Sequence, residues 1–152
     1  MTSLPVWIAT GGPAGYAPVA PGTFGSLIGL AIYFLIARWP IAAQLAAGAA
    51  ITLIGTWAAG IAARHFNRSD PSYVVVDEIA GQVVTLIGLG TAWTTLLLGF
   101  VVFRALDIIK PWPANRLEAM HGGTGIMADD LMAAIYGQVV LRAVIFFIPG
   151  LF

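Results

Sequence analysis

Residues 76–110 read VDEIAGQVVTLIGLGTAWTTLLLGFVVFRALDIIK. The segment begins with an acidic pair, Asp77 and Glu78, and then continues without any charged side chain as far as Phe103. Charge returns at the end of the segment, at Arg104, Asp107 and Lys110. Charged side chains are costly inside a bilayer and collect at the ends of its helices. This pattern is therefore typical of a membrane protein with a polar site at one surface.

The composition of the whole chain supports the same class. Of its 152 residues, 59% are hydrophobic and 9% are charged, and the mean hydropathy is +0.90. Soluble domains have roughly 45–50% apolar and about 25% charged residues, and a small domain cannot bury so large an apolar excess. We predict a single membrane-embedded domain over residues 1–152. The net charge of zero and the scattered basic residues argue against nucleic-acid binding.

The chain contains no cysteine, which excludes disulfides, zinc–thiolate clusters and cysteine nucleophiles. Residues 1–8 contain neither a basic region nor a long apolar run. We therefore expect no cleaved signal peptide, and we expect the first membrane segment to direct insertion.

The first third of the chain predicts an irregular N-terminal segment followed by helices. Residues 1–22 are rich in glycine and proline, and only 4–9 form a short apolar piece. Thr23 or Ser26 is expected to cap a helix that ends near Ala37.

Two further helices are predicted outside the opening segment. Residues 41–63 are uncharged and long enough to span an apolar core of ~30 Å. A last helix is expected from about Asp130 to Ile148, before Pro149 and Gly150. Between the segment quoted above and this helix, a short helical piece is expected at 115–120.

The uncharged run 79–103 is either one span or two shorter helices. Gly88-Leu89-Gly90-Thr91 interrupts it with residues that favour a turn, which predicts a hairpin of helices at about 77–87 and 92–109. One continuous helix would hold Glu78 and Asp107 roughly 40 Å apart at ~1.5 Å per residue, whereas a hairpin returns them to the same side. If the acids act together, the hairpin is favoured. The predicted fold is an all-α, multi-pass bundle of about four to five helices with a hairpin at 77–109.

A hairpin would place four polar stretches on one side of the membrane, namely 10–23, 64–78, 104–116 and 121–130. Most lysine and arginine residues lie in these stretches. Because positively charged residues are more frequent in cytoplasmic loops, we expect this face to be cytoplasmic.

Five of the seven acidic residues form two adjacent pairs and one single aspartate: Asp77, Glu78, Asp107, Asp129 and Asp130. Their oxygens are hard ligands suited to Mg²⁺ or Mn²⁺. Near a low-dielectric boundary such like charges repel unless a cation lies between them. The alternative is that they only cap helices, as Asp77 and Asp130 could. In a chain with so few charges, two pairs plus Asp107 favour a shared metal site.

Three further features could bind an anion. Arg104, Asp107 and Lys110 are spaced by three and share a helix surface, either as an interfacial salt bridge or as a clamp for phosphate. The glycine-rich stretches PGTFGS (21–26) and HGGTG (121–125) precede predicted helices, where backbone N–H groups bind anions. His121 could donate a proton or simply be solvated. No G-x-S-x-G elbow is present, so metal-activated water or attack by an aspartate remains.

Four blocks of the sequence strongly resemble the bacterial phosphatidylglycerophosphatase A family: 21–27 (PGTFGSL), 76–81 (VDEIAG), 103–113 (FRALDIIKPWP) and 121–130 (HGGTGIMADD). The resemblance covers the chain from about residue 20 to its end. It implies an all-helical, Mg²⁺-dependent phosphatase of the bacterial inner membrane. The implied substrate is a phospholipid, phosphatidylglycerophosphate, which would be converted to phosphatidylglycerol.

These arguments together predict one site. The candidate catalytic residues are Asp77, Glu78, Asp107, Asp129, Asp130 and His121, and the five acids are also the candidate metal ligands. The candidate phosphate-binding residues are Thr23, Ser26, Arg104, Lys110, Gly122, Gly123 and Thr124.

Three alternatives are left open. A small cation carrier or channel could use the acids, but these would then be distributed along a path through the membrane. A non-catalytic lipid-binding subunit would not need the acids. A phosphatase of another lipid or soluble phosphate ester would share the site chemistry.

Overall fold

The structure, a computed structural model, describes residues 3–117, 120 and 122–148, and within these residues its regular elements are all helical. The helices are α1 (Leu4–Ala9), α2 (Pro21–Ile36), α3 (Ile41–Phe66), α4 (Val76–Leu86), α5 (Trp93–Ile109), α6 (Ala114–Leu117) and α7 (Gly123–Phe147), with a short 3₁₀ turn at Ala14–Tyr16 between α1 and α2. The expected all-helical fold is therefore confirmed.

The predicted hairpin is present as α4 and α5. Both glycines of its turn have positive φ angles, 75° at Gly88 and 83° at Gly90, a conformation that glycine adopts without steric cost. The Tyr33 hydroxyl donates to the Gly90 carbonyl at 3.0 Å, and the Gly88 N–H donates to Gln44 Oε1 at 3.0 Å. The turn is thus fixed by side chains of α2 and α3, and the start of α4 lies on the same side as the end of α5.

Two helices, α3 with 26 residues and α7 with 25, are long and apolar enough to cross a membrane. The shorter α2 is also apolar. Large apolar side chains such as Leu35, Leu53 and Phe146 project outward and are at least 70% exposed. Length and composition therefore agree with a helical membrane protein.

Glycines allow the helices that carry the site to approach closely. On α2, a Cβ at Gly25 would lie 2.8 Å from the Val75 carbonyl oxygen, and one at Gly29 would lie 2.6 Å from the Ile79 carbonyl oxygen. Small residues at helix contacts are common in membrane proteins because they let backbones pack together. The N-terminal half of α2 is thereby held against the start of α4.

The predicted start of the last helix was wrong. Helix α7 begins at Gly123, not near Asp130. A Cβ at Gly123 would collide with the backbone of α3 at Thr56, so this glycine is needed for helix packing rather than for a loop. As a consequence, Asp130 lies in the second turn of α7 and does not cap it.

The predicted cap of α2 was also wrong, because the helix begins at Pro21 after Ala20. Proline is favoured in the first turn of a helix, since its missing N–H has no helical partner there. Thr23 and Ser26 are inside the helix, and the Ser26 hydroxyl donates to the Gly22 carbonyl at 3.0 Å. The short helix α6 falls in the region where such a piece was predicted, with bounds Ala114–Leu117.

Candidate active site

The ends of α2, α4, α5 and α7 surround a cavity of about 390 Å³. Among the described residues that line it, all except Met120 belong to the four polar stretches predicted to share one side of the membrane. The same cavity is lined by all five candidate acids: Asp77, Glu78, Asp107, Asp129 and Asp130. The hairpin and the register of α7 thus bring together residues that are far apart in sequence.

Three of the acids form the densest part of the cluster. One carboxylate oxygen from each of Asp77, Glu78 and Asp130 lies within 4.8 Å of the other two. Asp77 and Glu78 are in the first turn of α4, and Asp130 reaches them from α7. A group of this size is compatible with three oxygens around one cation.

The carboxylates are buried but incompletely hydrogen-bonded. Asp130 is only 3% exposed and Asp129 is 6% exposed. Four buried carboxylate oxygens have no hydrogen-bond partner within the described part of the chain: Asp77 Oδ1, Glu78 Oε2, Asp129 Oδ1 and Asp130 Oδ2. Leaving a buried acceptor unsatisfied costs about 1–3 kcal/mol, and more for a charged group. A positively charged partner would stabilise these oxygens in their ionised form, and hard oxygen donors of this kind fit a divalent cation such as Mg²⁺.

Burial also shifts the pKa values of Asp77 and Glu78. Both residues are at the start of α4, outside the two long apolar helices α3 and α7. Burial raises the pKa of Asp77 well above its usual range, and repulsion from Glu78 and Asp130 raises this pKa further. Burial likewise raises the pKa of Glu78, although the Arg104 guanidinium acts in the opposite direction. Both effects follow from like charges gathered in a poorly solvated place.

Two basic side chains lie against the acids. Arg104 Nη1 is 2.5 Å from Asp107 Oδ2 and 3.7 Å from Glu78 Oε1. Lys110 Nζ is 2.7 Å from Asp129 Oδ2. Lys110 follows the last turn of α5 with φ 46° and ψ 62°, a left-handed conformation that is uncommon for a residue with a side chain. These cations offset part of the negative charge and border the cavity where an anionic ligand would enter.

Gly22, in the first turn of α2, forms part of the cavity wall. A Cβ at this position would collide with the Glu78 carboxylate and would lie 3.2 Å from Arg104 Nη1. A glycine is therefore required here for Glu78 and Arg104 to occupy their present positions.

The predicted phosphate-binding residues divide into two groups. Arg104 and Lys110 line the cavity. Thr23 and Ser26 do not, and Ser26 is fully buried in the contact of α2 with its neighbours.

The glycine-rich block before α7 is also placed differently from the prediction. Gly123 is buried against α3, Thr124 is exposed, and Gly122 lines a neighbouring depression with Arg64 and Arg68. Among the described residues of this block, Gly125 lines the cavity. His121 lies outside the described residues, so its predicted role stays a prediction.

The connection between α3 and α4 was predicted to lie on this side of the membrane, but its residues before Asp77 were not predicted to belong to the site. Ser69, Asp70 and Ser72 line the cavity, and the charge of Asp70 contributes to the raised pKa of Asp77. A signal was available, because Asp70 is one of only seven acids in the chain. Asp70 was not predicted as a site residue because the stretch around it resembles an ordinary polar loop.

Comparison with known proteins relates this site to lipid phosphatases. The family model described as Phosphatidylglycerophosphatase A matches residues 7–145. A relative from Bacteroides thetaiotaomicron, with the provisional name phosphatidylinositol-3-phosphatase, is 37% identical over 91% of this chain and 91% of its own. Phosphatidylglycerophosphatase A of Escherichia coli is 34% identical, covering 88% of this chain and 79% of the relative.

Phosphatidylglycerophosphatase A of Haemophilus influenzae is 32% identical, covering 90% of this chain and 86% of the relative. No solved structure gives a significant match. The family match covers nearly the whole chain, including every residue of the acidic cavity. The chain therefore belongs to the phosphatidylglycerophosphatase A family and is a phosphatase.

Proposed function

We propose that this protein hydrolyses the terminal phosphate monoester of phosphatidylglycerophosphate and releases phosphatidylglycerol and phosphate. The observation that carries this proposal is the cavity in which Asp77, Glu78 and Asp130 present oxygens within 4.8 Å of one another, bordered by Arg104 and Lys110. An acidic cluster with adjacent cations is suited to a phosphate group held together with a divalent ion. The names of the Escherichia coli and Haemophilus influenzae relatives support the choice of lipid.

The cofactor in this proposal is Mg²⁺, held by Asp77, Glu78 and Asp130, with Asp107 and Asp129 as further ligands. The fit rests on the four buried carboxylate oxygens without a hydrogen-bond partner among the described residues, because a bound cation would offset the cost of burying their charge. The chemistry that bound Mg²⁺ supplies is Lewis-acid polarisation of the phosphate oxygens.

The side chains of the protein itself then have separate tasks. Arg104 and Lys110 neutralise charge on the phosphate and orient it in the cavity. The oxygen of water attacks phosphorus while a carboxylate of the cluster accepts its proton. The ester bond to the glycerol oxygen breaks, and that oxygen takes up the proton that the carboxylate accepted from water. Exclusion of bulk water by the buried walls of the cavity strengthens each of these electrostatic interactions.

We further propose that the protein is a multi-pass protein of the bacterial inner membrane with this cavity on the cytoplasmic face. Support comes from α3 and α7, which are long and apolar enough to span, and from the position of Arg64, Arg68, Arg104 and Lys110 at the end of the bundle that carries the cavity. This asymmetry of basic residues is typical of a cytoplasmic surface. A substrate in the inner leaflet would then reach the site without leaving the bilayer.

A cation carrier or channel is less well supported. The five candidate acids gather around one cavity, at the start of α4, the end of α5 and the start of α7. A transport path would instead need polar groups through the depth of the membrane. A phosphatase of another lipid phosphate is the closer alternative, because the name of the Bacteroides thetaiotaomicron relative refers to a phosphoinositide.

The proposal is tested by measuring phosphate release in detergent from phosphatidylglycerophosphate, phosphatidylinositol-3-phosphate and phosphatidate. We expect the highest kcat/KM for phosphatidylglycerophosphate, and we expect Asp130→Asn to lose activity on all three. A preference for either other lipid would contradict the proposed substrate. Activity that survives in Asp130→Asn would contradict the proposed site.

A further inference from the structure

A second cavity, of about 310 Å³, lies between α1, α2, α3 and α4. All of its lining residues are apolar or glycine, and they include Trp7, Ile28, Ile51, Ile54, Val76 and Ile79. We call this cavity the apolar groove. Because the described residues offer almost no polar surface to bind water, water is a poor occupant and an apolar ligand is favoured.

The apolar groove shares a wall with the acidic cavity. Val76 and Ile79 line the groove, while Asp77 and Glu78, between them in the sequence, line the acidic cavity. All four residues belong to the first turn of α4, where successive side chains point in different directions around the helix. The first turn of α4 therefore borders a site for a charged group on one face and a site for an apolar group on another face.

The mouth of the groove is formed by exposed apolar side chains. Trp7 is 57% exposed and Ile54 is 50% exposed. Tryptophan is enriched at the boundary between head groups and acyl chains, and Ile54 lies in α3, a helix that is long and apolar enough to span. A lipid chain entering from the bilayer would meet the groove at this boundary.

We infer that the apolar groove binds one acyl chain of the lipid whose phosphate enters the acidic cavity. The inference rests on the proposed function, since it requires a lipid substrate. A phospholipid carries a charged head and an apolar chain on one molecule, which is the combination that the two faces of α4 accept. Chain binding would anchor the substrate and so lower its KM without taking part in the reaction.

The test compares two neighbouring residues of α3. Ile54→Trp places a larger side chain in the groove, whereas Leu53→Trp makes the same change at a residue that is 70% exposed and does not line the groove. Each variant is assayed on long-chain phosphatidylglycerophosphate and on a short-chain, water-soluble analogue. We expect Ile54→Trp to raise KM for the long-chain lipid about tenfold, with kcat/KM for the analogue within about twofold of the wild type. We expect Leu53→Trp to change neither value.

Equal effects of the two substitutions would overturn the inference, and so would an Ile54→Trp effect of the same size on both substrates. A second measurement does not depend on the variants or on hydrolysis. Phosphatidylglycerol with a photoactivatable group at the end of one chain is cross-linked to the wild-type protein, and the adducts are mapped. We expect adducts concentrated at the groove residues Ile28, Ile32, Ile51 and Ile54. Adducts spread evenly over exposed positions such as Leu35 and Leu53 would indicate ordinary bilayer contact and overturn the inference.

The two measurements also separate this inference from the proposed function. Absence of phosphate release by the wild type would overturn the proposed function, while cross-linking would still decide what the groove binds. Normal phosphate release without chain-length dependence, together with unlocalised cross-links, would overturn the groove assignment alone.

Discussion

Glu78 and Asp107 contact the same guanidinium nitrogen, because Arg104 Nη1 lies 3.7 Å from Glu78 Oε1 and 2.5 Å from Asp107 Oδ2. Glu78 is in the first turn of α4 and Asp107 is in the last turn of α5. The contact is possible only because the chain reverses at Gly88 and Gly90. The hairpin turn, far from the cavity, is therefore what assembles it.

Arg104→Lys should reduce kcat. Lysine carries a compact ammonium on a differently shaped side chain, so its nitrogen would not occupy the position of Arg104 Nη1 between the two carboxylates. Hydrogen bonds to charged groups contribute about 1.5–3 kcal/mol, so we expect a loss of roughly tenfold or more. Arg38→Lys, an exposed arginine after α2, is the matched control. Full activity of Arg104→Lys would show that the bridge between Glu78 and Asp107 is unnecessary.

Asp130→Asn should inactivate the enzyme and change its stability in a metal-dependent way. In the presence of chelator, removing one of several buried like charges should raise Tm by about 2–4 °C, corresponding to ~1 kcal/mol. With excess Mg²⁺ the order should reverse, because only the wild type gains the full stabilisation from binding, about 2.7 kcal/mol at one hundred times Kd. Identical Tm values for both proteins with and without Mg²⁺ would contradict the metal-ligand assignment.

Gly22→Ala should inactivate the enzyme, whereas Thr23→Ala should not. The new methyl group at position 22 would collide with the Glu78 carboxylate, while Thr23 does not line the cavity. Phosphate release and thermal unfolding of the two variants should be measured together. A Thr23→Ala enzyme as inactive as Gly22→Ala would restore the original assignment of Thr23 to phosphate binding.

Lys110→Ala should mainly raise KM. Alanine meets the same steric cost as lysine in the left-handed conformation, so the substitution leaves the backbone preference unchanged and removes the charge. The loss of one charged hydrogen bond to phosphate predicts a KM increase of about tenfold or more. If kcat fell while KM stayed constant, Lys110 would act in the transition state rather than in substrate binding.

Much of this arrangement could be predicted from the sequence, because its cause is local. The glycine pair at Gly88 and Gly90 predicts the turn, and the scarcity of charge makes the acids and Arg104 conspicuous. The structure brings together the five candidate acids with Arg104 and Lys110. Their catalytic roles remain predictions until the variants are assayed.

The errors have a common physical origin in helix packing. Gly123 was assigned to a loop because glycine is a poor helix former, yet it lies in α7 where close contact with α3 requires it. Gly22 was predicted only as part of the glycine-rich, anion-binding stretch 21–26, because its own importance depends on the nearby Glu78 of another helix. Contacts between helices are not encoded in local sequence patterns, so these glycines could be understood only from the structure.

The central claim is that the buried carboxylates hold a divalent cation that phosphate hydrolysis requires. The most direct test is phosphate release from phosphatidylglycerophosphate by the purified protein, first after treatment with a chelator and then during titration with Mg²⁺. The account predicts no turnover after chelation and saturable recovery as Mg²⁺ is added, with no recovery in Asp130→Asn. A rate that is unchanged by the chelator would contradict it.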